Sequence, residues 1–404
     1  MNSNLKLRLV IITAIVVSSL KFQAQNTSVK FGKGVSFMAK DSSMSMKLTF
    51  RFQSLFVAEQ TLDKDNKLVD DFASEAMIRR SRIKFDGFVY SPKLEYKVEL
   101  AISNRDVGLG GSTTDGKYFN NASNIVLDAV LKYEFAKNTE IWFGQTKLPS
   151  NRERVISSQK LQFVDRSIAN GVLNLDRDFG FHLRHKDQFG NFIIKETGAM
   201  TLGEGRNVTS NNDDGFCYTG RLEFLPFGEF KKDGDYVGSD VEREEKPKLA
   251  IGVIYDYNDN ARRTIGQLGS FIKHDSLTRD LQSIHADFMY KHKGFSAMGE
   301  YMKRFIAEGE PSVFYVGTGY NIQAGYLLKN NIEFAGRFSQ VRPDLWDKTN
   351  KEIYMGNKTS QVTLGFSKYF VKHNLKIQSD ISASKNDNDD NNYLMYRFQV
   401  EMQF

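Results

Sequence analysis

The sequence predicts an all-β protein, a transmembrane antiparallel β-barrel of about sixteen strands with one loop folded inward as a constriction. Three observations predict it. First, the chain ends on an alternating strand, Tyr393-Leu-Met-Tyr-Arg-Phe-Gln-Val-Glu-Met-Gln-Phe404. Leu394, Tyr396, Phe398, Val400, Met402 and Phe404 share one face, while Arg397, Gln399, Glu401 and Gln403 share the other. A large aromatic at the chain end suits a closing strand with lipid on one side and water on the other. Phe404 reads as the membrane-insertion signal presented to the barrel-assembly machinery. Second, similar alternation recurs along the whole chain. Third, no stretch approaches eighteen consecutive apolar residues, so any spanning of a bilayer falls to strands.

Taken in order, the chain opens with Lys6 and Arg8, then an apolar run from Leu9 to Val17 and small residues up to Ala24. This pattern predicts a signal peptide over 1–24, cleaved before Gln25, and hence export. Residues 25–44 follow as a periplasmic segment and 45–404 as the barrel, which places the chain in the outer membrane of a Gram-negative bacterium. Strands are expected near 45–59, 76–90, 93–104, 124–136, 139–146, 178–187, 191–202, 216–226, 247–257, 282–291, 293–304, 313–328, 331–341, 359–370, 373–384 and 393–404. The connections agree with that count. Even-numbered strands end in tight turns, as at Ser91-Pro-Lys93 and His292-Lys-Gly294, whereas odd-numbered strands end in longer polar loops, as bacterial barrels require. One periplasmic connection breaks the rule, the charged stretch from Phe227 to Lys246. The 32 Phe and 17 Tyr cluster near strand ends, where aromatic girdles would use them.

Composition narrows the function. Mean hydropathy is negative, which suits a barrel that hides its apolar residues by alternation. Cys217 is the single cysteine, which excludes an internal disulfide framework. Against 49 acidic residues the 55 basic ones leave a charge of only +6, no footprint for nucleic acid. Gly111 to Lys117 has phosphate-loop spacing, but Tyr118 stands where Ser or Thr is required. His182 and His185 fall on opposite faces of one strand and cannot share a metal. Asp387 to Asp390 reads as a solvated turn before a calcium site. No enzyme, cofactor, metal or catalytic residue is therefore expected. The expected partners are outer-membrane lipid and small solutes.

The longest outer loop, 147–177, is the candidate site. It carries Lys147, Arg152, Arg154, Lys160, Arg166 and Arg177 against Glu153, Asp165 and Asp176, a surplus of three cations. Its apolar residues Leu161, Phe163, Val164 and Ile168 would anchor it inside the lumen. There the guanidinium groups could replace water lost by a passing anion. A second cluster, Arg80, Arg82 and Lys84, would stack on one lumen-facing strand about 7 Å apart. Two readings stand open for it: a row that hands anions along the pore, or a structural row paired with acids such as Glu95 and Glu99. All lumen-facing positions together hold twelve bases and nine acids, so any strong preference must come from the narrow zone.

Arg79-Arg80-Ser-Arg82-Ile-Lys84-Phe-Asp86-Gly87 resembles the early-strand signature of the phosphate-selective porin O and P family. Leu127-Asp128-Ala129 and Trp142 to Pro149 are similar to it as well. Phe163 to Ser167 and Asp176 to Gly180 resemble that family's constriction region, and Phe227 to Asp240 resembles the turn of Bacteroidota-type members. The resemblance implies a sixteen-stranded, usually trimeric outer-membrane channel with an arginine ladder leading to a basic constriction. Matching positions are Arg80 and Arg82 on the strand and Lys147, Arg152, Arg154 and Arg166 in the loop. The function implied is passive diffusion of small hydrophilic solutes, anions such as phosphate above all. The competing expectation is a non-conducting barrel that docks a partner through 227–246.

Overall fold

In a computed structural model, residues 28–29, 31–103, 124–208, 215–272, 278–308, 313–344, 358–387 and 391–404 are described. The expected signal segment and the Gly111–Lys117 loop lie outside them.

Sixteen antiparallel strands close into a barrel. They are β1 (Ser45–Leu62), β2 (Leu68–Val89), β3 (Ser91–Ala101), β4 (Val126–Ala136), β5 (Thr139–Lys147), β6 (Arg177–Phe189), β7 (Phe192–Thr201) and β8 (Cys217–Leu225). The second half comprises β9 (Lys248–Ala261), β10 (Arg279–His292), β11 (Phe295–Ile306), β12 (Gly317–Leu327), β13 (Ile332–Pro343), β14 (Thr359–Tyr369), β15 (Leu375–Asn386) and β16 (Asn392–Gln403). Each pairs with its chain neighbours, and β16 closes on β1 from Asn392↔Leu62 to Gln403↔Arg51. At that seam the Phe404 and Phe50 backbones exchange two hydrogen bonds of 2.9 and 2.8 Å, and their rings lie 5.3 Å apart. All sixteen expected strands are present. Alternation explains them: Phe143, Phe181, Leu183, Leu222, Ile322 and Leu364 point outward and are exposed to lipid. Arg51, Gln53, Arg221, Arg337, Gln399 and Glu401 on neighbouring positions are buried inside.

Three connections differ from expectation. The loop expected over 60–75 is a five-residue turn, because β1 runs to Leu62 and β2 starts at Leu68. Asp63 Oδ1 accepts bonds from the Asp65 and Lys67 amides at 2.9 and 2.8 Å and tightens that turn. The loop after β9 contains a small hairpin, Arg263–Ile265 with Leu268–Phe271. The stretch 227–246 does not project into the periplasm as a docking handle. It folds back into the barrel, where Asp235, Val237, Ser239, Asp240 and Glu244 are buried.

The lumen is accordingly part-filled. The loop between β5 and β6 enters it and forms two short helices, α1 (Arg152–Val155) and α2 (Ile168–Leu173). Ser167 caps α2 by accepting the Asn170 amide at 3.1 Å. Ile156 and Leu161 of the loop pack with Phe230 of the folded-back stretch and with Ile193, Leu225, Ala250, Met289 and Met298 of the wall. Ala169 and Leu173 of α2 pack against Met302 and Val341. Gly365 makes the close approach possible: a Cβ there would meet the Phe163 ring at 2.9 Å.

Candidate functional site

The β5–β6 loop crosses the barrel and is tied to the far wall. Asn151 Nδ2 donates to Glu300 of β11 at 3.0 Å, and Gln162 Nε2 to Glu333 of β13 at 2.8 Å. The Val164 amide donates to Asp380 of β15 at 3.1 Å. Arg304 of β11 donates to the Val172 and Asn174 carbonyls, and Lys376 of β15 to the Gln159 carbonyl at 2.7 Å. The loop reaches the near wall through Asp165, which takes Arg79 at 2.7 Å and Arg80 at 2.8 Å from β2. What stays open is a cavity of about 730 Å³ between the loop and the wall formed by β2 to β8.

That cavity is basic. Eleven cationic side chains line it against five carboxylates, Glu99, Asp128, Asp165, Asp176 and Glu223, a surplus of six. The surplus of three expected for the whole lumen underestimates it. On the far wall, Asp380, Glu300 and Glu333 hold the loop in place.

The predicted constriction residues separate into groups. Lys147 and Arg166 line the cavity and form no ion pair among the described residues. Lys147 Nζ donates to the carbonyls of Arg154, Val155 and Ile156 at 2.8 to 3.2 Å. Arg166 donates to the Glu153 carbonyl at 2.9 Å and the Ile156 carbonyl at 2.8 Å. Both cations gather where α1 ends and its carbonyls are unsatisfied by the helix. Burial and the nearby Arg80 pull Arg166 down to about 10. Arg154 also lines the cavity but pairs with Asp176; burial and its neighbours Arg166 and Arg177 lower it well below its ordinary value. Arg177 donates to Asp128 at 2.9 Å. Asp165 stays well below the usual carboxylate range, because Arg80 and Arg79 outweigh its burial.

Arg152 and Lys160 do not line the cavity, contrary to expectation. Arg152 is fully buried, paired with Glu223 at 2.7 Å and Asp287 at 2.9 Å. It bolts α1 to the wall, a role fixed by inward carboxylates that the linear pattern does not reveal. Lys160 lies in a single turn, Ser158–Lys160, and offers its carbonyl to Gly238 of the folded-back stretch at 2.8 Å. On β2, Arg80, Arg82 and Lys84 share the inward face, and each has an acid nearby, though of the expected neighbours on the next strand only Glu99 is among these acids. Arg80 bonds Gln53 and Asp165, Arg82 approaches Glu99 at 4.0 Å, and Lys84 meets Asp86 at 2.7 Å.

Three further residues contribute, of which Arg184 is among the expected lumen-facing bases and Arg79 and Tyr236 are not. A bulge lets Gln53 pair with Arg80 and Ser54 with Ile78, so Arg79 turns inward beside Arg80. Arg184 lies 4.0 Å over the Trp142 ring, with Lys132 4.5 Å from the same ring, and Arg184 forms no ion pair among the described residues. Tyr236, from the folded-back stretch, completes the cavity wall.

A closed barrel with lipid-facing apolar residues, a watered interior and an inward constriction loop is a membrane channel of the porin class. The chain belongs to the phosphate-selective porin O and P family, whose model matches residues 46–404. It is an outer-membrane porin of a Gram-negative bacterium, a channel for small solutes. No curated protein sequence matches the chain. Among solved structures it is similar to an anion-selective porin from Comamonas acidovorans, with 12% identity, a TM-score of 0.55, and coverage of 89% of this chain and 100% of that one. It is also similar to a loop-deletion mutant of OmpT of Vibrio cholerae, at 10% identity and TM-score 0.53 over 89% and 99% of the two chains. The outer-membrane channel DcaP of Acinetobacter baumannii is similar at 12% identity and TM-score 0.50 over 91% and 99%. These likenesses concern the fold.

Proposed function

We propose that this porin passes small anions, phosphate among them, in preference to cations, and that Lys147 and Arg166 set the preference. The observation that carries this reading is the surplus of six cations around the cavity, with the side chains of those two held by carbonyl oxygens and in no ion pair among the described residues. A cation held by carbonyl oxygens has no carboxylate beside it to offset its field in the lumen, whereas an ion pair presents a dipole that a passing solute feels weakly. In a narrow zone of reduced dielectric, that charge stabilises an anion that has shed part of its water. The relative from Comamonas acidovorans is itself described as anion-selective. Arg79, Arg80 and Arg82, each with an acid nearby, steer solutes toward the narrow zone rather than bind them. The assembled unit is proposed as a homotrimer, as the family resemblance implies, and a trimer band on unheated gels that collapses on boiling is the expected sign.

The test is the reversal potential of single channels across a potassium chloride gradient. Wild-type channels should show an anion-selective sign. Arg166→Gln and Lys147→Gln should each move it toward zero, and together abolish most of it. A cation-selective wild-type channel would sink the reading, and phosphate added against chloride would show whether it competes for the same zone.

A further inference from the structure

The stretch between β8 and β9 breaks the rule that periplasmic turns are short, and its residues are folded into the lumen. We infer that this stretch is a fixed wedge that sets the periplasmic exit of the pore and, through Tyr236, tunes its charge. The inference goes beyond the anion preference and rests only on the channel function.

The wedge is bonded on all sides. Its Asp240 accepts the Gly294 amide at 2.7 Å, and Lys291 donates to its Ser239 carbonyl at 2.8 Å. Ser239 Oγ donates to Glu333 at 2.6 Å. These partners belong to β10, the β10–β11 turn and β13, so the wedge fills the half of the lumen under those strands. Buried charges satisfied this fully mark a rigid element, since freeing any of them would leave an unpaired polar group inside. The Gly238 amide meets the constriction loop at the Lys160 carbonyl, and Phe230 shares an apolar cluster with the loop residues Ile156 and Leu161. The loop therefore rests on the wedge, and the two together confine passage to the side of β2 to β8.

Tyr236 is where the wedge meets the water. It lines the cavity, and its hydroxyl donates to Glu223. Glu223 is the one carboxylate in the cavity wall contributed by β8. Two arginines already neutralise it, and the tyrosine hydroxyl occupies its remaining oxygen. Lys195 lies 5.1 Å from the ring centre on the cavity side of β7. The tyrosine thus narrows the exit and masks a carboxylate that would otherwise face departing anions.

Two kinds of variant separate size from charge. Replacing residues 229–245 with a short glycine–serine turn should raise single-channel conductance about two-fold or more, because a constricting element is gone. A heat-modifiable gel shift confirms that this barrel still folds. Tyr236→Ala, which leaves the wedge in place, should raise conductance by a smaller step. Tyr236→Phe should leave conductance unchanged and lower the anion preference. Unchanged conductance in Tyr236→Ala, or in a folded wedge-less barrel, would overturn the inference. If wild-type channels show no anion preference, the proposed selectivity fails, yet the conductance readings still decide the wedge.

Discussion

Arg152 and Arg166 sit in the same loop and carry the same group, but their surroundings assign them different work. Arg152 is fully buried between Glu223 and Asp287, and burial is outweighed by those carboxylates, which raise it above its ordinary value. Removing it leaves two buried acids to share the Arg221 cation, paired at 3.0 and 2.7 Å, with the Tyr236 hydroxyl still donating to Glu223. Breaking a buried pair costs about 3–5 kcal/mol, and the remaining arginine puts Arg152→Ala near the lower end, about 3 kcal/mol. Denaturant unfolding in detergent should show that loss. Arg166 holds only carbonyl oxygens, so Arg166→Gln strands no acid and should cost about 1 kcal/mol while moving the reversal potential strongly. The pH dependence has a definite sign. Arg166 is a cation whose value is depressed to about 10, so its charge is complete at neutral pH and lost as pH rises through about 10. The share of the anion preference that Arg166 supplies should therefore hold at neutral pH and decline toward pH 10. The decline should be smaller in Arg166→Gln, and an equal decline in both channels would exclude Arg166 as its source.

At the scale of elements, the strands were legible because each face meets a different solvent, and that contrast is written as period two. Where both solvents are polar the signal fades. Residues 68–75 of β2 lie past the part of the strand that pairs with β3, and their mixed sequence reads as loop although they pair with β1. Alternation also cannot announce a bulge, so the inward turn of Arg79 beside Arg80 is not legible in the sequence. The inward course of the constriction loop was legible from its apolar residues, and Phe163 and Val164 are indeed buried. What those residues dock against was not, since it depends on small inward positions on distant strands. Gly365 provides a test. Gly365→Val would drive a side chain into the Phe163 ring and should cost about 1–3 kcal/mol by overpacking, with noisier open-channel current as the loop loosens. Gly336 is the control: a Cβ there meets nothing nearer than Leu364 at 4.0 Å, so Gly336→Val should change neither thermal stability nor current noise.

At the scale of the whole molecule, the barrel depends on one seam between its first and last strands, and Phe404 sits at its end. Its contribution to the folded state can be bounded. It adds two backbone hydrogen bonds to Phe50, worth about 0.5–1.5 kcal/mol each, and one aromatic contact worth about 0.5–1.5 kcal/mol. Together these are small beside the twelve paired positions from Asn392 to Gln403 that hold the same seam. Deleting Phe404 should therefore lower the melting temperature of refolded protein only slightly. We propose that Phe404 is in addition recognised by the barrel-assembly machinery, a role that acts before the seam exists. On that reading the same deletion should sharply reduce the amount of folded barrel recovered from outer membranes, and Phe404→Trp should restore it. Comparing in vitro melting with in vivo yield separates the two roles. A yield that falls no further than the melting shift accounts for would leave Phe404 as a seam residue and nothing more.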